Sequence, residues 1–249
     1  MLPKLFSPCP SEFQVAAVNI SFLLDDQATA GHAVAGSGKG RGCRRSVADY
    51  GFTRQEVRRL RALRSPVGIQ RVLDKMPYHL AKTAWSPRRV LREETAHCLE
   101  GAIFAAVALR VLGFPPLLLD LEAVQDTDHV IAVYRFNGHW GAIAKSNFSG
   151  LRFRAPVYRS LRELVMSYFE DYINLRGDRT LRAFSRPVNL ARFDRVHPGW
   201  MTAEADLWWI PEYLVGIPHR HLLASGMERS LSRTDRRALE AGLVGYRAR

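Results

Sequence analysis

The stretch TAHCLEGAIF, residues 95–104, places one cysteine near the front of an almost wholly apolar run. Cys98 is either a small core residue or a nucleophile. Free cysteines are among the most buried residue types, which favours the core. Position argues the other way. With Thr95 as N-cap, Cys98 takes the third helical position, where unsatisfied backbone N–H groups and the helix dipole favour thiolate over thiol. A thiolate nucleophile also needs a group that accepts a proton and later returns it. His129 has that chemistry and begins a strand just after the acidic turn QDTDH. A third group should fix the imidazole's orientation, and the segment KSN offers Ser146 and Asn147.

Hairpin register decides between those two. Asn137-Gly138 is a strong hairpin signal. A two-residue loop pairs 136 with 139 and sets Ser146 opposite His129. A three-residue loop with Gly138 left-handed pairs 135 with 139 and brings Asn147 to the histidine's face. Asn147 is preferred, because its amide oxygen can accept from the imidazole while the group stays neutral.

Other polar residues carry weaker claims. His97 is expected to face solvent, and His139, just after the turn, to lie at the surface. His129 with Asp126 and Asp128 could hold a metal, but carboxylates in a polar turn are more often only solvated. Glu100 is expected to make a buried polar contact or to be exposed. Trp200, Trp208 and Trp209 fit a substrate cleft or core packing equally well. No cysteine pair has zinc-site spacing, and GSGKG (36–40) lacks the spacing of a phosphate loop. No metal and no cofactor are therefore expected.

The elements that must position these groups follow from periodicity. Thr53 and Glu56 form a capping-box pattern ahead of Val57, Leu60 and Leu63. Ser65-Pro66 opens a second helix, and further helical pieces are predicted within 78–92. The strongest helix runs 95–112, apolar all round, with Gly113 and Pro115 ending it. PPLLLDLEA, HVIAVYRF and HWGAIAKS then read as strands, and YRSLRELVMSYFEDYI (158–173) as an amphipathic helix. PVNLARFD reads as another strand, DLWWIPEYLVGIPHRHLL as short pieces, and the C-terminal segment as a surface helix with a frayed basic tail. Three units are expected: a disordered, glycine-rich basic arm over 1–48, a folded domain over 49–225, and a helical basic tail over 226–249.

Two stretches, TAHCLEGAIFAAVALRVLGFPPLLL and DHVIAVYRFNGHWGAIAKSN, resemble the transglutaminase-like superfamily, which belongs with the papain-like cysteine enzymes. The resemblance spans about residues 85–150. It implies an α+β fold in which a central buried helix packs on a small antiparallel sheet, with additional surface helices. It implies Cys98 as nucleophile, His129 as base and Ser146 or Asn147 as orienting group. The Cys98 backbone N–H and Trp85 take the place of the oxyanion donors. The implied chemistry is acyl transfer through a thioester, either hydrolysis of an amide or peptide or transfer to an amine, on a peptide or protein substrate. Two departures stand out: AKSN lacks the usual third-position Asp, and His97 replaces the Gly that often precedes the cysteine. These motivate the alternative of a catalytically inactive module that binds a peptide or protein partner.

Bulk composition bounds the partners. The 249 residues are 47% hydrophobic and 24% charged, enough for a real core. Thirty-six basic against twenty-four acidic residues give a formal charge of +12; this could attract nucleic acid or an acidic partner, but the basic residues are spread along the chain and are read first as a solvated, arginine-rich surface. Nucleic acid is not expected, since no recognised motif accompanies the charge. No run reaches the ~18 apolar residues of a membrane span. Three scattered cysteines fit a reducing, cytoplasmic compartment.

Overall fold

A computed structural model describes residues 50–248; the arm expected over 1–48 lies outside the described residues. The chain is α+β. Helix α1 (Arg54–Arg61) opens with the capping box read from the sequence: the Glu56 N–H donates to Thr53 Oγ1 at 3.2 Å and Thr53 N–H to Glu56 Oε2 at 2.6 Å. Helices α2 (Pro66–Lys75) and α3 (Pro87–Glu93) share one design, a serine N-cap followed by proline at the first helical position. Between them, residues 77–86 form an irregular connection in which Tyr78 bridges Ala96 in parallel.

Helix α4 (Cys98–Val111) is the centre of the molecule. Residues 98–109 are all buried, because α1, α2 and α3 cover one side and the sheet the other. Its N-terminus departs from expectation. The N-cap is His97, not Thr95, whose hydroxyl donates to the Pro77 carbonyl at 3.0 Å. Cys98 is therefore the first helical residue rather than the third. The C-terminus is as read: Gly113 takes φ 93° and the Phe114 N–H returns to the Leu109 carbonyl.

Seven strands follow, all paired antiparallel: β1 (Leu117–Ala123), β2 (His129–Phe136), β3 (His139–Ile143), β4 (Arg154–Tyr158), β5 (Leu181–Ser185), β6 (Val188–Asn189) and β7 (His219–His221). Their order is β4-β3-β2-β1-β5-β7, with β6 also on β1. The sequence pattern anticipates β1, β2 and β3. It places a strand over PVNLARFD, where only Val188–Asn189 pair before a 3-10 turn, Leu190–Phe193. The helix expected over 158–173 is one short element, α5 (Leu161–Met166), continued by turns. Farther on, α6 (Trp209–Gly216) carries Pro211 in its first turn, and α7 (Arg236–Gly242) is the predicted surface helix. The end of α7 and the segment after it dock back on the domain, through Ser149 N–H to the Gly242 carbonyl and through the Asn147–Arg247 contacts.

Two apolar cores sandwich the sheet. The α4 side takes Leu118, Val130, Ala132 and Tyr134; the opposite side takes Leu119, Leu121, Ile131 and Val133 with Leu164, Tyr168 and Tyr172. This is the period-two alternation of strands buried on both faces.

Candidate functional site

The head of α4 meets the sheet where β2 begins. Cys98 sits there with 6% of its surface exposed. Burial pushes its thiol up to about 11; the backbone amides of Val130 and Leu99 and the Tyr78 hydroxyl pull the other way and lose. The expectation of a thiolate favoured by the helix end is thus reversed in this conformation. The amides are present as expected, but desolvation outweighs them.

His129 is one residue from Val130, whose N–H bonds the Cys98 sulfur, and alternation sets it in phase with Ile131 and Val133. Its ring meets Tyr172 edge-on at 6.4 Å, and its Nε2 lies 3.2 Å from the Leu151 carbonyl. Burial holds its pKa down to about 4, with the Leu151 carbonyl opposing. No hydrogen bond joins it to Cys98 among the described residues.

The hairpin turn is the two-residue form. Asn137 and Gly138 both have positive φ (47° and 80°), and Phe136 pairs with His139. Extending that register past the Ala132–Ile143 pair sets Ser146, not Asn147, opposite His129. The Asn147 amide, preferred as the orienting group, bonds the Arg247 backbone at both ends, 2.8 Å and 3.0 Å. Ser146 is buried, and its hydroxyl accepts from the Phe148 N–H at 3.0 Å. Neither is hydrogen-bonded to the imidazole.

The polar residues that do converge were underrated in the sequence. Glu100 is completely buried, one turn past the N-cap. Its Oε2 accepts from the His97 N–H (3.2 Å) and faces His79 Nδ1 (3.0 Å). Its Oε1 accepts from the Thr83 hydroxyl (2.5 Å) and the Trp85 N–H (3.2 Å). Burial raises the carboxyl's pKa, but His97, Thr83 and His79 more than offset it, and the group stays below its ordinary range. His97, expected in solvent, is buried, with Nε2 at 2.7 Å from the Thr83 carbonyl. Glu100 three residues after His97 is the readable half of a capping box, while a histidine N-cap is not the serine or threonine that pattern calls for. His79 and Thr83 were not readable, because only the 78–96 bridge brings their segment to the helix head.

Trp85 packs into this same cluster, its ring 4.1 Å from His79 and beneath the Arg89 guanidinium at 4.6 Å. Its indole N–H is buried without a partner, while its backbone N–H is spent on Glu100.

The remaining candidates are structural. Asp126 accepts from the Thr180 hydroxyl and Asp128 from the Ala123 N–H, each bonded within its turn or to a neighbouring strand. His139 turns Nδ1 to the Asn137 carbonyl at 2.9 Å. Trp200 is core, donating its indole N–H to Asp194 at 3.1 Å; Trp209 stacks on His197 and Trp208 is 37% exposed. One buried cation was not foreseen: Lys145 donates to the carbonyls of Leu73 (2.7 Å) and Met76 at the end of α2. Burial and then Arg152 bring its pKa down to about 8.

The chain matches no protein-family model and none of the curated proteins compared with it. No helix among the described residues is long and apolar enough to cross a membrane.

Proposed function

We propose that this chain is a transglutaminase-like module that works by binding an acidic peptide or protein rather than by cysteine catalysis. One observation carries the reading: the Cys98 thiol is buried and pushed up to about 11, and the His129 ring is spent on the Leu151 carbonyl at 3.2 Å with no hydrogen bond to the sulfur among the described residues. A thiol–imidazole relay needs the two within hydrogen-bond reach, and a nucleophile needs access to its substrate. Here Cys98 is a small core side chain that receives backbone amides.

The partner's chemistry follows from charge. Arg54, Arg58 and Arg61 lie at i, i+4 and i+7 on the exposed face of α1. Arg59 pairs with Glu94 and Arg88 with Glu56, whereas these three pair with no carboxylate among the described residues. A row of unpaired guanidiniums attracts carboxylates and binds them two-pronged. The scattered, few cysteines fit a reducing, cytoplasmic setting for that partner.

Fluorescence anisotropy with a labelled poly-glutamate peptide tests this. Salt-sensitive binding, weakened severalfold by Arg54→Gln/Arg58→Gln/Arg61→Gln and unchanged by Cys98→Ala, is expected. Amine incorporation into casein or hydrolysis of fluorogenic peptide amides, abolished by Cys98→Ala, contradicts it.

A second reading, the cysteine acyl-transfer enzyme, is favoured by the amides of Leu99 and Val130 beside the sulfur at the first residue of a buried helix. It requires an opened state in which Cys98 and the imidazole of His129 share one cavity, with Trp85 supplying its free indole N–H to an oxyanion. Trapping of a thioester on Cys98 is its test.

A further inference from the structure

The head of α4 holds more ligand chemistry than a helix cap uses. His79 Nδ1, His97 Nε2 and a Glu100 carboxylate oxygen all lie within 4.8 Å of one another. We propose that His79, His97 and Glu100, completed by Thr83, form a closed site for one zinc-class divalent cation.

The spacing already suits it. Zinc bonds of ~2.0–2.2 Å at tetrahedral angles set neighbouring ligand atoms about 3.4 Å apart. The separations are 3.0 Å from His79 Nδ1 to Glu100 Oε2 and 3.5 Å from His97 Nε2 to Glu100 Oε1. Thr83 Oγ1 lies 3.4 Å from His79 Nδ1, and the Thr83 carbonyl 2.7 Å from His97 Nε2. Each imidazole nitrogen thus lies near tetrahedral spacing from one oxygen of the same carboxylate, the ligand atoms fall within 4.8 Å of one another, and Thr83 offers the fourth from either of its oxygens. Two imidazoles with one carboxylate is a donor set that borderline divalent ions take and that magnesium and calcium do not.

Rigidity supports the same assignment. His97 and Glu100 are fixed by the first turn of a wholly buried helix. His79 is held by Trp85 at 4.1 Å and stacks on His97 at 5.9 Å. Glu100 keeps two backbone donors, His97 N–H and Trp85 N–H, outside the proposed sphere. Such outer hydrogen bonds orient metal-binding carboxylates.

Binding is a proton exchange. Each imidazole now turns a ring N–H toward an oxygen, His79 to Glu100 and His97 to the Thr83 carbonyl. In the loaded site those nitrogens present lone pairs. A neutral ring shifts its one proton to the far nitrogen, a doubly protonated ring releases one proton to solvent, and the cation takes the place between the two neutral imidazoles and the carboxylate. The oxidation state of the metal does not change.

Metal-stripped full-length protein titrated with zinc chloride by calorimetry, and with cobalt chloride by visible absorption, tests the site. One ion per chain is expected, with a higher thermal midpoint and the strong visible bands of tetrahedral cobalt with nitrogen and oxygen ligands. His79→Gln, at a half-buried position, should weaken binding at least tenfold; His139→Gln, at the exposed turn, should not. If His97→Gln fails to fold, the wild-type cobalt spectrum still decides. A thiolate-to-cobalt charge-transfer band would move the ion to a cysteine and overturn the assignment. Absence of binding, or binding unchanged in His79→Gln, overturns it equally.

Discussion

His129 and Val130 are neighbours in the chain and serve opposite halves of the molecule. Val130 faces α4, its amide beside the Cys98 sulfur; His129 faces Tyr172 and the turns after α5. The contrast teaches that a catalytic pair read from linear order depends on strand phase. One residue of alternation sends a side chain to the other face. The α4 face is polar at the helix head, where Glu100 gathers four donors and leaves the Trp85 indole N–H without a partner. The opposite face buries a neutral imidazole hydrogen-bonded to the Leu151 carbonyl.

Substitutions on the two faces should therefore differ in size and kind. The largest effect is expected from Glu100→Ala. It strips the acceptor from the His97 and Trp85 amides, the Thr83 hydroxyl and His79, and should cost about 3–5 kcal/mol in denaturant unfolding. A loss near zero would mean the cluster is not the anchor of the α4 head. Next comes Gly101→Ala. Its added Cβ would stand 2.5 Å from the Lys145 Cβ, so about 1–3 kcal/mol of overpacking is expected.

On the opposite face, His129→Leu should change pH dependence more than neutral-pH stability. The folded state holds the imidazole at about 4 against an ordinary 6.5. Because the folded value is depressed, the unfolded chain binds the extra proton first. The stabilisation is whole above pH 6.5 and is lost as pH falls from there toward 4. Leucine should remove that slope, while leaving the Leu151 carbonyl unpaired for about 1 kcal/mol at neutral pH. An unchanged acid limb contradicts a buried, neutral His129. The smallest effect is expected from Cys98→Ala: the loss of one small buried side chain, about 1 kcal/mol by thermal melt and no loss of poly-glutamate binding.

A good part of this was legible beforehand. The Thr53–Glu56 box, the Ser65-Pro66 start, the apolar run of α4 and the Asn137-Gly138 turn all speak through neighbours within a few residues. Strands β4 and β5 did not, since β4 alternates half-exposed and exposed residues at a sheet edge and β5 lies among arginines. The cysteine and histidine were found as residue types, and their relation was not. Thr95 looked like the better cap, yet its hydroxyl is drawn to Pro77 by the 78–96 bridge, a contact no local pattern announces. Asn147 was the chemically attractive orienting group, but the two-residue turn shifts the register by one and the C-terminal segment takes its amide.

The most direct measurement is the iodoacetamide alkylation rate of Cys98 at neutral pH, mapped by peptide mass, in native wild type, in native His129→Leu and in denaturant. The account predicts slow native labelling, the same in both proteins, that rises sharply only on unfolding. Fast native labelling that falls in His129→Leu would establish the thiol–imidazole pair and contradict it.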